Sequence, residues 1–233
     1  MTTLTSSAAP ATSFSCALRR AFDIVVSAVT LVAVSPIMLL IAVCIMLESG
    51  RPIFFSHTRL GLHGRPFRML KFRKFHKDCT ANGLQVTLDG DARMTKVGNF
   101  LRATKLDELP QLWNVLVGDM SIIGPRPESV GYADCFKDGF EEVFNYKPGI
   151  LGPTQVQFRD EAALYPKVGD VDEFYRTVLF PTKARIDLAY YSSRSFRGDI
   201  GWLFQGVLAT LGVRPAARSD CDALDPKASK TNV

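Results

Sequence analysis

The stretch IVVSAVTLVAVSPIMLLIAVCIML, residues 24–47, contains 24 residues without a charge and lies between Asp23 and Glu48. About 20 apolar residues in a helix are enough to cross the hydrocarbon core of a bilayer. A buried helix of a small soluble domain seldom runs this far without a polar face. A cleaved signal peptide fits poorly, because its apolar part is shorter and ends at small residues. The stretch therefore predicts a membrane-embedded helix that stays in the protein.

Ser35 and Pro36 lie at the midpoint of this segment. Proline removes a backbone hydrogen bond and bends a helix, and the Ser35 hydroxyl can satisfy a carbonyl that the bend frees. Basic residues occur on both sides of the segment: Arg19, Arg20, Arg51, Arg59, Arg65 and Arg68. Because Lys and Arg mark cytoplasmic flanks, a kinked span and a re-entrant helix that leaves on the side it entered are both open at this point.

Composition agrees with a membrane segment joined to one folded domain. The chain has 233 residues, 47% of them hydrophobic, and a net charge of +5, with a mean hydropathy of +0.08. The apolar content excludes a disordered chain. Five scattered cysteines form neither a disulfide framework nor a zinc motif.

Residues 51–77 form a basic strip that holds eight Lys or Arg, all three histidines and no acid, so the rest of the chain carries a net −3. Such a strip suits anionic lipid headgroups, a phosphorylated substrate or nucleic acid, and the neighbouring membrane segment makes nucleic acid the weakest of the three. Alternation over residues 67–73 predicts a β-hairpin with residues 52–55 and a turn at residues 61–64.

The stretch LDELPQLWNVLVGDM, residues 106–120, places two adjacent carboxylates, Asp107 and Glu108, just before a predicted helix that Pro110 opens. One acid at that position is explained by helix capping. Two acids approached by Arg102 and Lys105 also suit a metal and phosphate site.

Other motifs add charged groups on stiff loops. Two prolines hold Arg126 in a fixed direction within residues 124–128, and a Gly/Pro-rich loop ends at Arg159. Asp89 and Asp91 form an Asp-x-Asp triplet that could hold a divalent cation, although such triplets are frequent in turns.

Near the C-terminus, Asp199 is the expected cap of a helix with a stripe of apolar residues from Ile200 to Leu211. Core packing is the simplest interpretation of the stripe. Because Trp202 lies beside it in a chain with a membrane segment, a helix in the membrane interface is the alternative.

In their order, these motifs resemble the bacterial sugar transferases, the monotopic polyprenyl-phosphate phosphoglycosyl transferases. The resemblance covers about residues 19–211, and LDELPQLWNVL followed by GDMSxxGPRP is its most specific part. The matching stretches are residues 20–23 with the Ser-Pro break, 54–61, 71–73, 106–114, 118–121, 124–127 and 147–149.

The resemblance implies a mostly helical α+β fold with a re-entrant helix hairpin broken at Ser35-Pro36, a small β-hairpin and interfacial amphipathic helices. It implies a re-entrant helix at residues 18–48 and a catalytic domain at 49–212. Residues 1–17 and 213–233 are rich in Ser, Thr, Ala and Pro and lack periodicity, so both are expected to be disordered tails. The location it implies is the bacterial inner membrane, with the catalytic domain on the cytoplasmic face.

The resemblance also implies a Mg²⁺-dependent reaction that transfers a sugar-1-phosphate from a UDP-sugar to polyprenyl (undecaprenyl) phosphate, the first step of exopolysaccharide or glycoconjugate assembly. Asp107 would attack the β-phosphate and release UMP, and Glu108 would help hold the metal or relay a proton. By position in the motifs, the expected phosphate contacts are Lys71, Arg102, Arg126 and Arg159. Membrane lipid is an expected partner and nucleic acid is not, and a monomer and a homodimer both stay open.

The chain departs from the family's usual pattern at four places. His57 stands where the family usually has a glutamine, and Lys105 stands where it often has a small hydroxyl residue. Residues 152–154 stand where the family often has Gly-Trp-Ala, and residues 157–158 stand where it often has Asn-Gly. These departures leave the identity of the sugar unassigned. Two other functions compete: a metal-dependent glycosyltransferase that uses Asp89 and Asp91 and releases UDP, and a non-catalytic membrane scaffold.

Overall fold

A computed structural model of the chain describes residues 13–77, 91–165, 169–210 and 212–213. It has the predicted mostly helical α+β architecture with small sheets. The helices are α1 (Ser13–Ser49), α2 (Lys96–Thr104), α3 (Gln111–Val117), α4 (Pro153–Gln157), α5 (Val171–Phe174), α6 (Phe180–Tyr191) and α7 (Phe196–Thr210), and the strands are β1 (Phe54–Leu60), β2 (Pro66–Phe72), β3 (Ser121–Ile123) and β4 (Gly149–Leu151).

The membrane segment lies within α1, which continues through Ser35 and Pro36. Pro36 cannot donate to the carbonyl of Val32 one turn earlier, and the Ser35 hydroxyl donates to that carbonyl at 2.8 Å. The helix begins at Ser13, inside the range expected to be a disordered tail. Residues 1–12 and 214–233 of the two expected tails lie outside the described residues.

One face of α1 lies against the domain along the whole helix. Asp23, Ser27, Ile41 and Ile45 on this face are buried. The opposite face is apolar and open, with Val32 76% and Leu47 80% exposed. Among the described helices α1 alone is long and apolar enough to cross a membrane, and only 11% of its apolar window is buried inside the protein. A soluble-core helix would be covered on all sides, so this alternative is wrong.

The N-terminal part of α1 is fastened to the domain by charged groups. The Arg20 guanidinium donates to the carbonyls of Val115 and Leu116 at 2.7 and 2.8 Å, at the C-terminal end of α3. The buried Asp23 carboxylate accepts from the Ser121 hydroxyl and the Ile122 backbone at 2.8 and 2.9 Å. A cation at helix carbonyls and a carboxylate on buried donors are both favourable pairings.

The C-terminal end of α1 is fastened just as firmly. The Glu48 carboxylate accepts from the first two backbone N–H groups of α2 at 2.8 and 3.0 Å. The Arg73 guanidinium donates to the carbonyls of Ser49 and Gly50 at 3.0 and 2.7 Å. Both flanks of the membrane segment are therefore held by the same domain.

The predicted hairpin is confirmed. Strands β1 and β2 pair antiparallel from Phe54 opposite Phe72 to Leu60 opposite Pro66. The hairpin rests on α3 through the Asn114 side chain, which accepts from the Leu70 backbone N–H and donates to the Arg68 carbonyl, both at 2.9 Å.

Strands β3 and β4 form a short parallel pair that brings two Gly/Pro loops together. A Cβ at Gly124 would lie 2.2 Å from the Lys147 carbonyl oxygen, and one at Gly149 would lie 2.0 Å from the Gly124 nitrogen. Only glycine allows this approach of two backbones. The backbone N–H of Gly149 then donates to the Pro125 carbonyl at 2.9 Å and fixes the loop before Arg126.

The C-terminal helix differs from its prediction in two ways. It begins at Phe196, and Ser195 caps it by accepting from the Gly198 backbone N–H at 3.1 Å. Asp199 is instead buried within the first turn, where Arg19 and Arg194 bind it at 3.1 and 2.8 Å.

The apolar stripe of α7 divides between the core and the surface. Ile200, Phe204 and Val207 are exposed, whereas Gly206 and Ala209 are buried. A Cβ at Gly206 would meet the Leu151 side chain at 2.8 Å. The core-packing interpretation therefore holds for only part of the stripe: Leu203, with Trp202 beside it, packs against the core cluster that includes Leu112, whereas Ile200 and Phe204 are left outside.

Candidate active site

The two adjacent carboxylates lie on a single helical turn, Leu106–Glu108, that leads into α3. Lys105 starts the turn with a left-handed backbone, at φ 60° and ψ 13°. Pro110 directly precedes α3, as predicted. Asp107 is 2% exposed, so the chain turns its carboxylate into the protein.

Each carboxylate has a lysine of the β2 region as its partner. The Nζ atom of Lys74 lies 2.9 Å from Oδ2 of Asp107. The Nζ atom of Lys71 donates to Oε1 of Glu108 at 2.7 Å. Burial alone would favour the neutral acid at Glu108, but the charges of Lys71 and Arg126 outweigh it and hold the pKa of Glu108 well below its usual range. Glu108 is therefore ionised at neutral pH.

A cleft of about 910 Å³ opens beside this pair. All six side chains expected to act in catalysis or phosphate binding line it. They are Lys71, Arg102, Asp107, Glu108, Arg126 and Arg159. Residues up to 88 positions apart in the sequence thus converge on one site, which sequence order alone did not show.

Arg126 lies between the carboxylates of this cleft. Burial disfavours its charge, but Glu108, Glu161 and Glu128 overcome that effect and raise the pKa of Arg126 above its ordinary value. The guanidinium therefore stays charged in a buried position, where an anion is bound more strongly than in water.

Two further arginines offer donors to the cleft. Within the described residues, Nε of Arg59 and Nη1 of Arg159 are buried atoms without a protein hydrogen-bond partner. Arg159 also reaches the Thr210 carbonyl at 3.5 Å, at the end of α7. A buried N–H group without an acceptor destabilises the folded protein unless a ligand supplies one. Phosphate oxygens are suitable acceptors for arginine N–H groups.

A second group of charges forms the back of the cleft. The Nζ atom of Lys183 lies 2.9 Å from Glu128 and 3.3 Å from Glu161, and the Tyr175 hydroxyl donates to Glu128. Lys183 is 3% exposed. Its neighbours on α6 include Asp187, a buried carboxyl group that accepts from the Thr154 hydroxyl at 3.1 Å.

Sequence reasoning missed several of these residues. Lys74 and Arg59 belong to the basic strip, but strand alternation does not select them, because Lys74 lies beyond the end of β2. Lys105 was expected to approach the acids, and it lines the cleft. Glu128 ends the Gly/Pro motif of residues 124–128 without a predicted role, and Glu161 and Lys183 carry no local motif.

The carboxylates fit Mg²⁺, which protein sites usually bind through one or two carboxylates with waters and substrate phosphates. Asp107 and Glu108 are adjacent oxygen donors on one turn. In the described part of the chain, no group of three or more His, Cys, Asp or Glu residues is arranged to hold a metal by itself. A metal here would therefore depend on the substrate for further ligands.

Of the two aspartates in the competing Asp-x-Asp triplet, the structure describes only Asp91. Asp89 lies outside the described residues. Asp91 binds the Arg93 side chain, with Nε 2.8 Å from Oδ1. Its carboxylate is not among the residues that line the cleft.

Comparison with known proteins identifies the family. The model of the family described as "Bacterial sugar transferase" matches residues 14–213. The UDP-glucose:undecaprenyl-phosphate glucose-1-phosphate transferase of Escherichia coli (strain K12) is 40% identical over 161 residues, which are 67% of this chain and 35% of that protein. The UDP-N-acetylgalactosamine-undecaprenyl-phosphate N-acetylgalactosaminephosphotransferase of Aeromonas hydrophila is 43% identical over 143 residues, 60% of this chain and 34% of that protein.

A third relative is matched over more of its length. The exopolysaccharide production protein PSS of Rhizobium leguminosarum bv. phaseoli is 43% identical over 148 residues, which are 60% of this chain and 74% of that protein. The chain spans only about a third of the length of the first two relatives. The family match nevertheless covers the membrane helix, the hairpin and the whole cleft, and the chain belongs to the bacterial sugar transferase family.

Proposed function

We propose that this protein transfers a sugar-1-phosphate from a UDP-sugar to a polyprenyl phosphate, with undecaprenyl phosphate as the expected acceptor. The observation that carries the proposal is the pairing of two adjacent carboxylates, the buried Asp107 and the partly buried Glu108, with several lysines and arginines in one cleft. Phosphoryl transfer mainly requires positioning and neutralisation of charge, which these lysines and arginines supply. The names of the relatives agree with this reaction.

In the first step, an Asp107 carboxylate oxygen bonds to the β-phosphorus and the bond to the bridging oxygen breaks. UMP leaves with that electron pair, and the sugar phosphate stays on the enzyme as an acyl phosphate. The buried position of Asp107 supports this role, because a carboxylate with few water contacts is a stronger nucleophile. The Nζ atom of Lys74, 2.9 Å from Oδ2, orients the carboxylate.

In the second step, an oxygen of the polyprenyl phosphate bonds to the same phosphorus and the Asp107 carboxylate is released. The product is a polyprenyl diphosphate sugar, which would begin exopolysaccharide or glycoconjugate assembly. Arg126, Arg159, Arg102 and Lys71 hold phosphate oxygens through both steps. Mg²⁺ held by Asp107 and Glu108 would neutralise phosphate charge.

The anchoring of α1 supports a re-entrant rather than a spanning arrangement. A straight helix of 24 residues is about 36 Å long, so a span would place its two flanks on opposite sides of the bilayer. Here Arg20 and Glu48, one at each flank, bind the same domain, and the helix contacts that domain along its length. A straight span would immerse a charged cleft in hydrocarbon, which is costly.

We further propose that α7 lies in the membrane interface on the cytoplasmic face of the bacterial inner membrane. Its exposed side presents Ile200 and Phe204, and its first turn is fixed to α1 through the pair of Arg19 with Asp199. An apolar face held beside a membrane helix is suited to the boundary between headgroups and acyl chains.

The released nucleotide tests the reaction. Membranes containing the full chain are incubated with undecaprenyl phosphate and, separately, with UDP-glucose and UDP-N-acetylgalactosamine. The proposal expects UMP with at least one donor and a sugar phosphate on the Asp107 peptide by mass spectrometry. Release of UDP would favour the glycosyltransferase based on Asp89 and Asp91, and no release with a wide panel of UDP-sugars would favour a scaffold.

Topology has its own test. Cysteines placed near residue 10 and near residue 60, in a variant without the native cysteines, are labelled in intact cells and in opened cells. A re-entrant helix requires both sites to react from the cytoplasmic side only. Labelling from opposite sides would overturn re-entry without affecting the chemistry.

A further inference from the structure

Two neighbouring phenylalanines of β1 have equal exposure and opposite surroundings. Phe54 and Phe55 are each 50% exposed. Successive side chains of a strand point to opposite faces. Phe54 pairs with Phe72, and their rings stack at 5.3 Å between centroids over the cluster that buries the end of α1.

Phe55 lies on the face that reaches the dyad. Its partner across the hairpin is Lys71, whose Nζ lies 2.7 Å from the Glu108 carboxylate. Directly opposite residues in an antiparallel pair have Cβ atoms only about 5 Å apart. Phe55 is nevertheless not among the residues that line the 910 Å³ cleft, so its ring stands outside the space for the sugar nucleotide.

His57 extends the same face. Its ring centroid lies 6.2 Å from that of Phe55. Burial, together with the nearby charges of Arg59 and Lys71, lowers the pKa of His57 to about 4. The imidazole is therefore neutral at physiological pH, and Phe55 with His57 forms an uncharged surface next to charged Lys71.

This surface begins where the membrane helix ends. The backbone N–H of Arg73 donates to the Ile53 carbonyl at 2.9 Å, and the Arg73 side chain holds Ser49 and Gly50. The open end of the hairpin is thus attached to the last turn of α1. Phe55 lies near this attached end of the hairpin, directly opposite the lysine of the Lys71–Glu108 pair.

We propose that Phe55 and His57 form a subsite for the first isoprene units of the polyprenyl phosphate, with the acceptor phosphate directed toward Lys71. The inference rests on the proposed function and adds to it the route by which the acceptor enters. An amphiphile with one anionic end and an apolar chain requires a cation followed by an uncharged surface that leads to the membrane. Phe55 lies directly beside Lys71, and both lie near the hairpin end that Arg73 attaches to α1.

Steady-state kinetics distinguish a role of Phe55 in acceptor binding from a general structural role. Phe55→Ala should raise the KM for undecaprenyl phosphate about tenfold, because much of the contact area of one phenyl ring is lost. The amount of sugar phosphate loaded on Asp107 in the absence of acceptor should stay unchanged. Phe54→Ala is the matched control, with the same residue type and exposure on the other face, and should change that KM less than twofold.

Photocrosslinking tests the contact without turnover. A benzophenone side chain is placed at position 54 or at position 55 of the full chain in nanodiscs that contain radiolabelled undecaprenyl phosphate. The proposal expects labelling from position 55 that excess unlabelled undecaprenyl phosphate removes and excess phosphatidylglycerol does not. Position 54 should give little label, or label that either lipid removes.

The outcomes distinguish this inference from the reaction itself. Equal, non-selective labelling at both positions would overturn the subsite and leave both rings as membrane anchors. Selective labelling at position 55 in a protein that releases no UMP would support the subsite and reject the reaction. An unchanged KM in Phe55→Ala, with UMP release intact, would reject the subsite alone.

Discussion

Two lysine–carboxylate clusters meet in this protein, and they are built differently. In the cleft, each carboxylate has one lysine, Asp107 with Lys74 and Glu108 with Lys71, and the lysine side chains are 16% and 15% exposed. At the back of the cleft, Lys183 alone serves Glu128 and Glu161 and also approaches the Tyr175 hydroxyl. Its side chain is 4% exposed.

This difference distinguishes the cleft lysines, which are expected to take part in the reaction, from Lys183, which is expected to stabilise the fold. The cleft lysines have room to exchange partners when a phosphate arrives, so changes there should act mainly on rate. The Lys183 cluster is closed, and removing one member leaves buried charge without compensation. Arg126 feels the charges of Glu108, Glu161 and Glu128 and so belongs to both clusters.

The largest expected effect is in the cleft. Asp107→Asn keeps the shape of the side chain but removes the nucleophile, so UMP release should fall by a thousandfold or more, in order of magnitude. Membrane association should be unchanged, because α1 is held by other residues. Asp134→Asn, at an exposed carboxylate, is the control and should keep full activity. Substantial turnover by Asp107→Asn would reject the nucleophile.

Substitution of Lys183 in the closed cluster should lower the free energy of unfolding. Lys183→Met leaves Glu128 and Glu161 unpaired and should lower the free energy of unfolding by about 3–5 kcal/mol, measured by urea unfolding in detergent. Arg176→Met removes a surface pair and should cost about 1 kcal/mol or less.

A second substitution tests whether the lost stability comes from the uncompensated charges. Adding Glu128→Gln to Lys183→Met removes one uncompensated charge and should restore part of the lost stability. If the single variant keeps full stability but loses turnover, Lys183 acts in the chemistry and the proposed division between the clusters is wrong.

Asp187, which lies beside the Lys183 cluster, should make the free energy of unfolding depend on pH. Burial raises the pKa of Asp187 to about 7 from an ordinary 3.8, against the hydrogen bond from Thr154 and the charge of Lys183, and Glu128 adds to the rise. The folded protein therefore binds a proton that the unfolded chain releases, and stability falls as pH rises from about 4 to about 7, then levels off.

Asp187→Asn removes this titration. Between those pH values the wild type should lose about 3 kcal/mol of unfolding free energy relative to the variant. Because both proteins share every other titrating group, the difference between their two pH profiles is the measurement. Parallel profiles would show that Asp187 is ionised in the folded state.

The smallest effect tests the residue that links the clusters. Arg126→Lys keeps the charge but loses the forked donor geometry, so kcat should fall about tenfold. Unfolding free energy should change by less than about 1 kcal/mol, because the charge stays near its carboxylates. A larger loss of stability than of rate would place Arg126 with the closed cluster.

Sequence reasoning reached the hairpin and the six cleft residues because both leave local patterns. Alternating residues around Lys71 predict a strand, and LDELP places two acids before a helix. The Lys183 cluster could not be predicted, because its members come from distant segments and each looks like an ordinary surface charge.

The α7 prediction holds for only part of the helix, for a physical reason. An apolar stripe at helical spacing predicts core packing, which is the rule for soluble proteins. Leu203 of the stripe packs against the core and Gly206 meets Leu151, whereas Phe204 is exposed and Val207 lines the cleft. Hydrophobic spacing identifies an apolar face but does not show which neighbour covers each residue of it.

The attachment of Arg73 to the end of α1 limits how this stretch of chain can vary. Lys71, Arg73 and Lys74 reach Glu108, Ser49 and Asp107 from four consecutive positions. A strand alternates faces with every residue, so one inserted or deleted residue would turn Lys71 away from Glu108 while Arg73 stayed attached. A change of one residue in the length of this stretch is therefore expected to break the Lys71–Glu108 pair.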